Sequence, residues 1–320
     1  MKRTKKKAPS WAQCVADFDA YLESQERSEH TRTNYRGDLK AFAAWWEQTT
    51  HQPLLSVDQV TAVELREWKR ALDALRREPS TINRKLAALH SLLTWAATCG
   101  YVAEVGRPRN VRQQQRGPRW LDRLQQLALL RAVEKNASAR NGLRNKALII
   151  FALNTGLRVA ELAALRWRDV TIRDRKGTAI VRKGKGSKQR AVPLNYEARA
   201  ALELVGFREH AGSDSYVFIS EHKGQAMTPR GIRSVVESFA KLSCLDDLSC
   251  HVLRHTFCHN LSKTPGVGLA DVARIAGHES IETTRRYVEP SDAELQEAVE
   301  KLCDREDGPR PVRRDRRRSA

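Results

Sequence analysis

Apolar residues recur at helical spacing through most of the first hundred positions. Leu39, Phe42, Ala43 and Trp46 follow one another at three, one and three, and Ile82, Leu86, Leu89 and Leu93 at four, three and four. Each set draws a single apolar stripe along a helix. The stretch from Trp11 to about Val105 is therefore expected to be all helix. One helix starts near "SEHTRTNYR", and another is opened by the capping chemistry of Pro79, Ser80 and Thr81. Residues 106–119, "GRPRNVRQQQRGPR", lose the periodicity and collect Gly, Pro, Arg and Gln, which predicts a linker. From Trp120 onward the helical spacing returns with one interruption. "VTIRD", "TAIVRK" and "RAVPL" alternate or are β-branched, with Lys-Gly and Gly-Lys-Gly-Ser turns between them. They predict a small antiparallel sheet over roughly 168–194. "TPRGIRSVVESFAKL" then predicts a helix capped by Thr228, with Pro229 in its first turn.

After Pro290, Ser291 or Asp292 can cap a last short helix, on which Leu295, Ala298, Val299 and Leu302 make a narrow apolar stripe. So short a helix is marginal in water and needs a surface to dock on, its own domain or a neighbouring copy. The expected fold is mainly α with a small antiparallel β-sheet in the second of two domains. A basic tail at 1–9 precedes a helical domain at 10–105, then come the linker at 106–119, the second domain at 120–303 and a basic tail at 304–320.

Charge narrows the choice of partner. The 320 residues hold 57 Lys and Arg against 38 Asp and Glu, a net charge of +19. Such a balance suits a polyanion, nucleic acid first; taken alone it also describes an ordinary solvated surface. Thr31, Arg32, Asn34 and Arg36 on one helix, and Thr81, Asn83, Arg84 and Lys85 on another, give basic, amide-bearing faces of the kind that enter a major groove. Arg230 and Arg233 on the helix after Thr228 are candidates too. For any one of them a solvated helix face is the plainer reading. No apolar run approaches the ~18 residues of a membrane span, and "MKRTKKKAPSW" lacks the apolar segment of a secretory signal. The six cysteines form no CxxC pair, as reduced thiols would have it. These readings predict a cytoplasmic, nucleoid-associated protein with no membrane partner.

Two motifs invite misreading. "KGKGSK", 183–188, has glycines and lysines but neither the third glycine of a dinucleotide fingerprint nor the GxxxxGK spacing of a phosphate loop. His251, His255 and His259 recur at i+4 beside Cys250 and Cys258, a spacing that can hold zinc. Arg254 stands in that same face, where its guanidinium would repel a dication. No metal and no cofactor are expected.

Four further motifs, taken in order, are far more specific: "TGLRVAEL" at 155–162, "GKGSKQRAVPL" at 184–194, "HVLRHTF" at 251–257 and "GHESIETTRRY" at 277–287. The set resembles the tyrosine recombinase (phage integrase) family, most closely its two-domain Xer-like members, from about Trp11 to Leu302. The resemblance implies that Arg158 and Arg254 bind the scissile phosphate, that Lys185 on the hairpin is the general acid, and that His251 and His278 complete the pocket. It makes Tyr287 the nucleophile. Glu161 is expected to orient a cation there, and His255 to pack beside the reacting groups. Nearby, Asn145 stands where relatives often carry Asp.

Elementary chemistry agrees with those roles. Attack on a phosphodiester passes through a pentacoordinate state with extra charge on its non-bridging oxygens, which two arginines can clamp with paired N–H donors. The leaving 5′ oxygen needs a proton, and a lysine can supply it. A covalent phosphotyrosine conserves the bond energy until a new 5′-hydroxyl reverses the step. The expected protein is a two-domain DNA clamp that cleaves and rejoins a specific site in double-stranded DNA, for dimer resolution or for integration and excision of a mobile element. The resemblance further implies a tetramer on two DNA sites and leaves open a second recombinase. The rivals are a catalytically silent DNA-binding regulator and a topoisomerase-like enzyme that only nicks and reseals.

Overall fold

The computed structural model describes residues 7–106, 108–112, 117–182, 189–220, 224–278, 284, 285 and 299. Lys185, Arg286, Tyr287, the expected last helix apart from Val299, residues 1–6 of the first tail and all of the second lie outside them. The chain divides into two compact units, Met1–Arg116 and Gly117–Ala320.

The first unit consists of α1 (Trp11–Ser24), α2 (Glu29–Thr50), α3 (Ala62–Ala74) and α4 (Pro79–Thr98), with a 3-10 turn at Val57–Gln59. Ser10, Ser28 and Thr61 start the first three helices, each side chain accepting a backbone N–H from Gln13, Thr31 or Val63. α4 starts differently from expectation. Glu78 is its N-cap and makes no side-chain cap bond, while Pro79 takes the first helical position. Proline there has no N–H to satisfy and a φ already set for the helix, so Ser80 and Thr81 lie inside the first turn rather than capping it. The apolar stripes meet in one core around Phe18, Phe42, Trp68, Leu89 and Leu92. Phe42 and Trp68 pack edge to face with centroids 5.0 Å apart.

The start of the expected linker is fastened to this unit. The Asn83 amide grips Val111 at both ends, accepting its N–H at 2.8 Å and donating to its carbonyl at 3.0 Å. Lys69 Nζ donates to the Arg109 carbonyl at 2.7 Å, and Val111 packs against the core.

The second unit begins with α5 (Arg123–Lys135), α6 (Gly142–Thr155) and α7 (Val159–Ala164). The strands β1 (Val170–Arg173), β2 (Lys176–Val181) and β3 (Arg190–Pro193) form an antiparallel sheet in the order β1-β2-β3, with Ala179 opposite both Val170 and Val192. The sheet lies within the stretch where alternation placed it. Then come α8 (Tyr196–Glu203), α9 (Phe207–His210), α10 (Pro229–Leu242), α11 (Cys250–Ser262) and α12 (Leu269–Ala276). Thr228 caps α10 by accepting the Gly231 N–H at 3.1 Å, as its sequence predicts. α6 runs through the middle, with Leu148, Ile149 and Phe151 all buried. Its neighbour α11 is anchored from the chain entry, where the Leu121 N–H donates to Thr256 Oγ1 at 2.9 Å and Trp120 stacks flat on His259 at 4.3 Å. Among the described residues no helix is long and apolar enough to cross a membrane.

Candidate active site

Three helix ends and one strand end converge on the site. α6 stops at Gly156, whose φ of +61° closes the helix in the left-handed region. A side chain there would strain the backbone, and its Cβ would sit 2.3 Å from the Phe257 ring. The chain turns at once into α7, with Arg158 as N-cap and Glu161 at the third helical position. Glu161 reaches back to the Arg158 N–H at 2.9 Å, so the same carboxylate that closes the helix start lies beside the Arg158 guanidinium at 3.1 Å. α11 contributes His251, Arg254 and His255 from one face, because they are spaced at three and four. α12 ends at Gly277, with φ +69°, and delivers His278. β3 contributes Arg190.

The arginines are held in an unusual way. Three consecutive carbonyls at the end of α12 each accept from a different guanidinium. Arg190 Nε bonds Ile275 at 2.9 Å, Arg254 Nη2 bonds Ala276 at 2.8 Å, and Arg158 Nη2 bonds Gly277 at 2.6 Å. Arg254 Nη1 also donates to Gly156 at 2.6 Å. The last carbonyls of a helix have no partner within it and carry the negative end of its dipole, so three cations complete them. Glu161 is the carboxylate that two of them share. Arg190 meets it fork to fork at 2.8 and 2.7 Å, and Arg158 touches it once. Among the described residues, these three guanidinia and the Glu161 carboxylate together carry a balance of +2.

Burial and charge set the protonation states. Burial pushes Glu161 up, but hydrogen bonds from Arg190 and the Arg158 N–H, with both guanidinium charges, outweigh it and leave the carboxyl below its usual range. Burial lowers His251, helped by the charges of Arg254, Arg233 and Arg158. Burial and the Arg254 and Arg158 charges take His278 down to about 4, and burial with His251 and Arg254 takes His255 to about 4. All three imidazoles are therefore neutral near pH 7, a form that can accept a proton or donate an N–H. His278 Nδ1 is 2.7 Å from the buried Thr284 hydroxyl. A cavity of about 130 Å³ opens between Arg158, Arg233, Ser249, Cys250, His251 and Arg254. Among the described residues no group of three His, Cys, Asp or Glu is placed to hold a metal ion. His251 and His255 lie ring to ring at 6.2 Å, while His259 faces Trp120.

The structure thus brings Arg158, Glu161, His251, Arg254, His255 and His278 into one region, and Lys185 and Tyr287 fall outside the described residues. Sequence reasoning missed Arg190. Its signal was an arginine opening a strand inside the hairpin motif, with Glu161 in a separate motif as the acid to meet it. The expected DNA-facing residues of the first unit are mostly committed within the protein. Arg32 pairs with Asp19 at 2.7 Å and with Glu23 at 2.7 Å, and Arg36 with Glu29 at 2.9 Å. Arg84 and Lys85 both pair with the buried Asp38. Thr31 contacts Ser28, Asn34 contacts His30, and Asn83 holds Val111. Thr81 lies half-buried in α4, whereas Arg230 and Arg233 are exposed on α10.

Guanidinia and neutral imidazoles thus line this region, with Glu161 orienting two of the guanidinia and Glu237 on the cavity wall, a donor set suited to an anionic group. Comparison with known proteins supplies the family. Residues 119–294 match the Phage integrase family and residues 15–100 the phage integrase N-terminal SAM-like domain. The chain is 31% identical over 283 residues to tyrosine recombinase XerC of Xanthomonas axonopodis pv. citri, covering 85% of this chain and 90% of that one. Its fold is similar to that of XerH site-specific recombinase in a post-cleavage complex with palindromic difH substrate, at 21% identity and a TM-score of 0.70 over 95% of this chain and 98% of that one. The Tn1549 transposon integrase bound to a circular intermediate DNA also gives 0.70, at 17% identity over 92% of this chain and 100% of that one. The chain belongs to the phage integrase family.

Proposed function

We propose that the protein is a site-specific DNA recombinase that cleaves and rejoins double-stranded DNA through a covalent 3′-phosphotyrosine. The observation that carries this reading is the arginine cluster held on the carbonyls of residues 275–277. Carbonyls fix a guanidinium without cancelling its charge, so the cluster keeps a surplus for the phosphorane, which gains charge as it forms. Preorganised donors of this kind are worth ~3 kcal/mol or more each in a transition state.

The Tyr287 Oη attacks phosphorus, and its proton passes to a neutral imidazole or to water. Arg158 and Arg254 hold the non-bridging oxygens. Lys185 gives the departing 5′ oxygen its proton, and the P–O bond to that oxygen breaks as the phosphotyrosine bond forms. A 5′-hydroxyl from a partner strand reverses the sequence. Exposed Arg230 on α10, and Arg233 at the wall of the cavity, are the stronger candidates for further DNA contact. The helix faces of the first unit present charges already balanced by Asp19, Glu29 and Asp38. Exchange joins two DNA sites and requires four active copies, with the segment after Pro290 as the candidate link between them. Resolution of dimeric DNA fits the Xer-like organisation better than element movement does.

The decisive experiment is Tyr287→Phe. It is expected to retain DNA affinity and to form no covalent adduct on denaturing gels. Adducts that persist would assign the attack to another residue. A wild-type protein that binds its site but forms no adduct would be a regulator, and one that relaxes supercoils without exchanging strands would be a topoisomerase.

A further inference from the structure

Glu161 is shared unequally. Its carboxylate takes two parallel hydrogen bonds from Arg190, at 2.8 and 2.7 Å, and a single one from the Arg158 guanidinium, at 3.1 Å. Arg158 is the closer of the two in sequence, three positions away and on the same turn, and a bidentate pair between them would be the ordinary outcome. Arg190 prevents it. Its side chain is 12% exposed, and the guanidinium is fixed on three sides: by Glu161, by the Ile275 carbonyl, and by Gly277. A Cβ on Gly277 would lie only 2.7 Å from Arg190 Nη1, so the missing side chain is what lets the guanidinium lie against the backbone there. Held in this slot, Arg190 fixes the Glu161 rotamer and occupies both oxygens.

We infer that Arg190 is a positioning residue whose task is to keep Glu161 from neutralising Arg158. With Arg190 present, Glu161 orients Arg158 through its backbone N–H and one edge contact, while the Arg158 N–H groups that neither Glu161 nor the Gly277 carbonyl engages stay available to a phosphate. Without Arg190, Glu161 gains a free fork. It swings onto Arg158, forms the bidentate pair, and withdraws from the pocket the charge that the reaction needs. The proposal rests on the recombinase reading above, but its distinguishing consequence is a sign rather than a loss. Removing Glu161 in addition should repair what removing Arg190 damages.

The test compares Arg190→Gln with the double variant Arg190→Gln/Glu161→Gln. Single-turnover adduct formation by the single variant is expected to fall ~100-fold, the scale of a displaced catalytic group. The double variant is expected to recover to within ~10-fold of wild type, because glutamine still accepts the Arg158 N–H but carries no charge to pair with its guanidinium. DNA affinity should hardly change in either, placing the effect on the chemical step. Calorimetric titration with orthovanadate, a phosphate analogue, reads the same pocket without cleavage. Affinity should drop in the single variant and return in the double. This second reading keeps the inference testable even if the wild type cleaves no DNA. A double variant as slow as the single one, or a single variant within ~3-fold of wild type, would overturn the proposal. If Arg190→Gln does not fold, Arg190→Lys takes its place, with a smaller defect and the same rescue expected. Failure of both to fold would make Arg190 a purely structural residue and overturn the proposal as well.

Discussion

The helix faces of the first unit and the candidate site of the second hold their arginines differently, although elsewhere the second unit also pairs arginines with carboxylates, as Arg166 with Asp214 and Arg182 with Asp169. In the first, Arg32, Arg36 and Arg84 meet carboxylates, Asp19, Glu29 and Asp38, and each positive charge is matched by a negative one close by. In the candidate site, Arg158, Arg190 and Arg254 lean on backbone carbonyls, and Arg158 and Arg190 share the Glu161 carboxylate. A carboxylate fixes a cation by neutralising it, whereas a carbonyl dipole fixes it and leaves most of its charge to act on a third party. The same residue type thus serves as a staple on the first unit's helix faces and, in the function we propose, as a phosphate clamp at the candidate site of the second.

The largest effect should come from Arg254→Gln. Only 5% exposed, Arg254 spans Gly156 and Ala276 and has no carboxylate of its own among the described partners. Loss of its guanidinium is expected to slow adduct formation by roughly 10³-fold, about 4 kcal/mol. Arg32→Gln in the first unit should leave the rate within ~2-fold. Equal losses from the two substitutions, measured in the same single-turnover assay, would erase the distinction.

Next in size is Asp38→Asn. Asp38 is 3% exposed and faces both Arg84 and Lys85. Removing its charge leaves two cations without their partner, and a stability loss of ~2 kcal/mol is expected by chemical denaturation. Affinity for non-specific duplex should rise, because Arg84 and Lys85 are released. A variant that loses stability and gains no DNA affinity would show that these two side chains face away from DNA.

The smallest effect concerns pH. His255 and His278 titrate at about 4 in the folded protein, below the usual 6.5. The unfolded chain takes up their protons first as the pH falls, so stability is present above about 6.5 and is lost between about 6.5 and about 4. Thermal melts of the second unit should shift downward across that window. The first unit lacks such a buried pair among its described residues, and its carboxylate pairs should carry it further, until Asp19, held low by Arg32, is protonated. Parallel melting of both units would contradict this difference.

How much of this could be read in advance depended on distance along the chain. The sheet at 170–193 announced itself by alternation, and α10 by Thr228 and Pro229, because both signals are local. The motifs around Arg158, His251, Arg254 and His278 were legible as short strings that fold into helix starts and ends. The cap of α4 was misjudged because Ser80 and Thr81 carry capping chemistry, while Pro79 set the start one residue earlier. Arg190 could not be placed, since its partners are 29 residues away at Glu161 and 85 away at Ile275. The ion pairs on the basic helix faces were hidden for the same reason. Asp19 lies 13 residues before Arg32 on another helix, and Asp38 lies 46 before Arg84, so only packing reveals that these cations are matched.

The clasp between Asn83 and Val111 bears on how the molecule can be taken apart. A fragment cut just after Thr98, where the last helix of the first unit ends, would strip both ends of the Asn83 amide and the Lys69 ammonium of their bonded groups. It would also bare the apolar surface that Val111 covers. A gene segment ending at Arg112 keeps all three. The natural seam for dissection or for grafting this unit onto another protein therefore lies well downstream of its last helix.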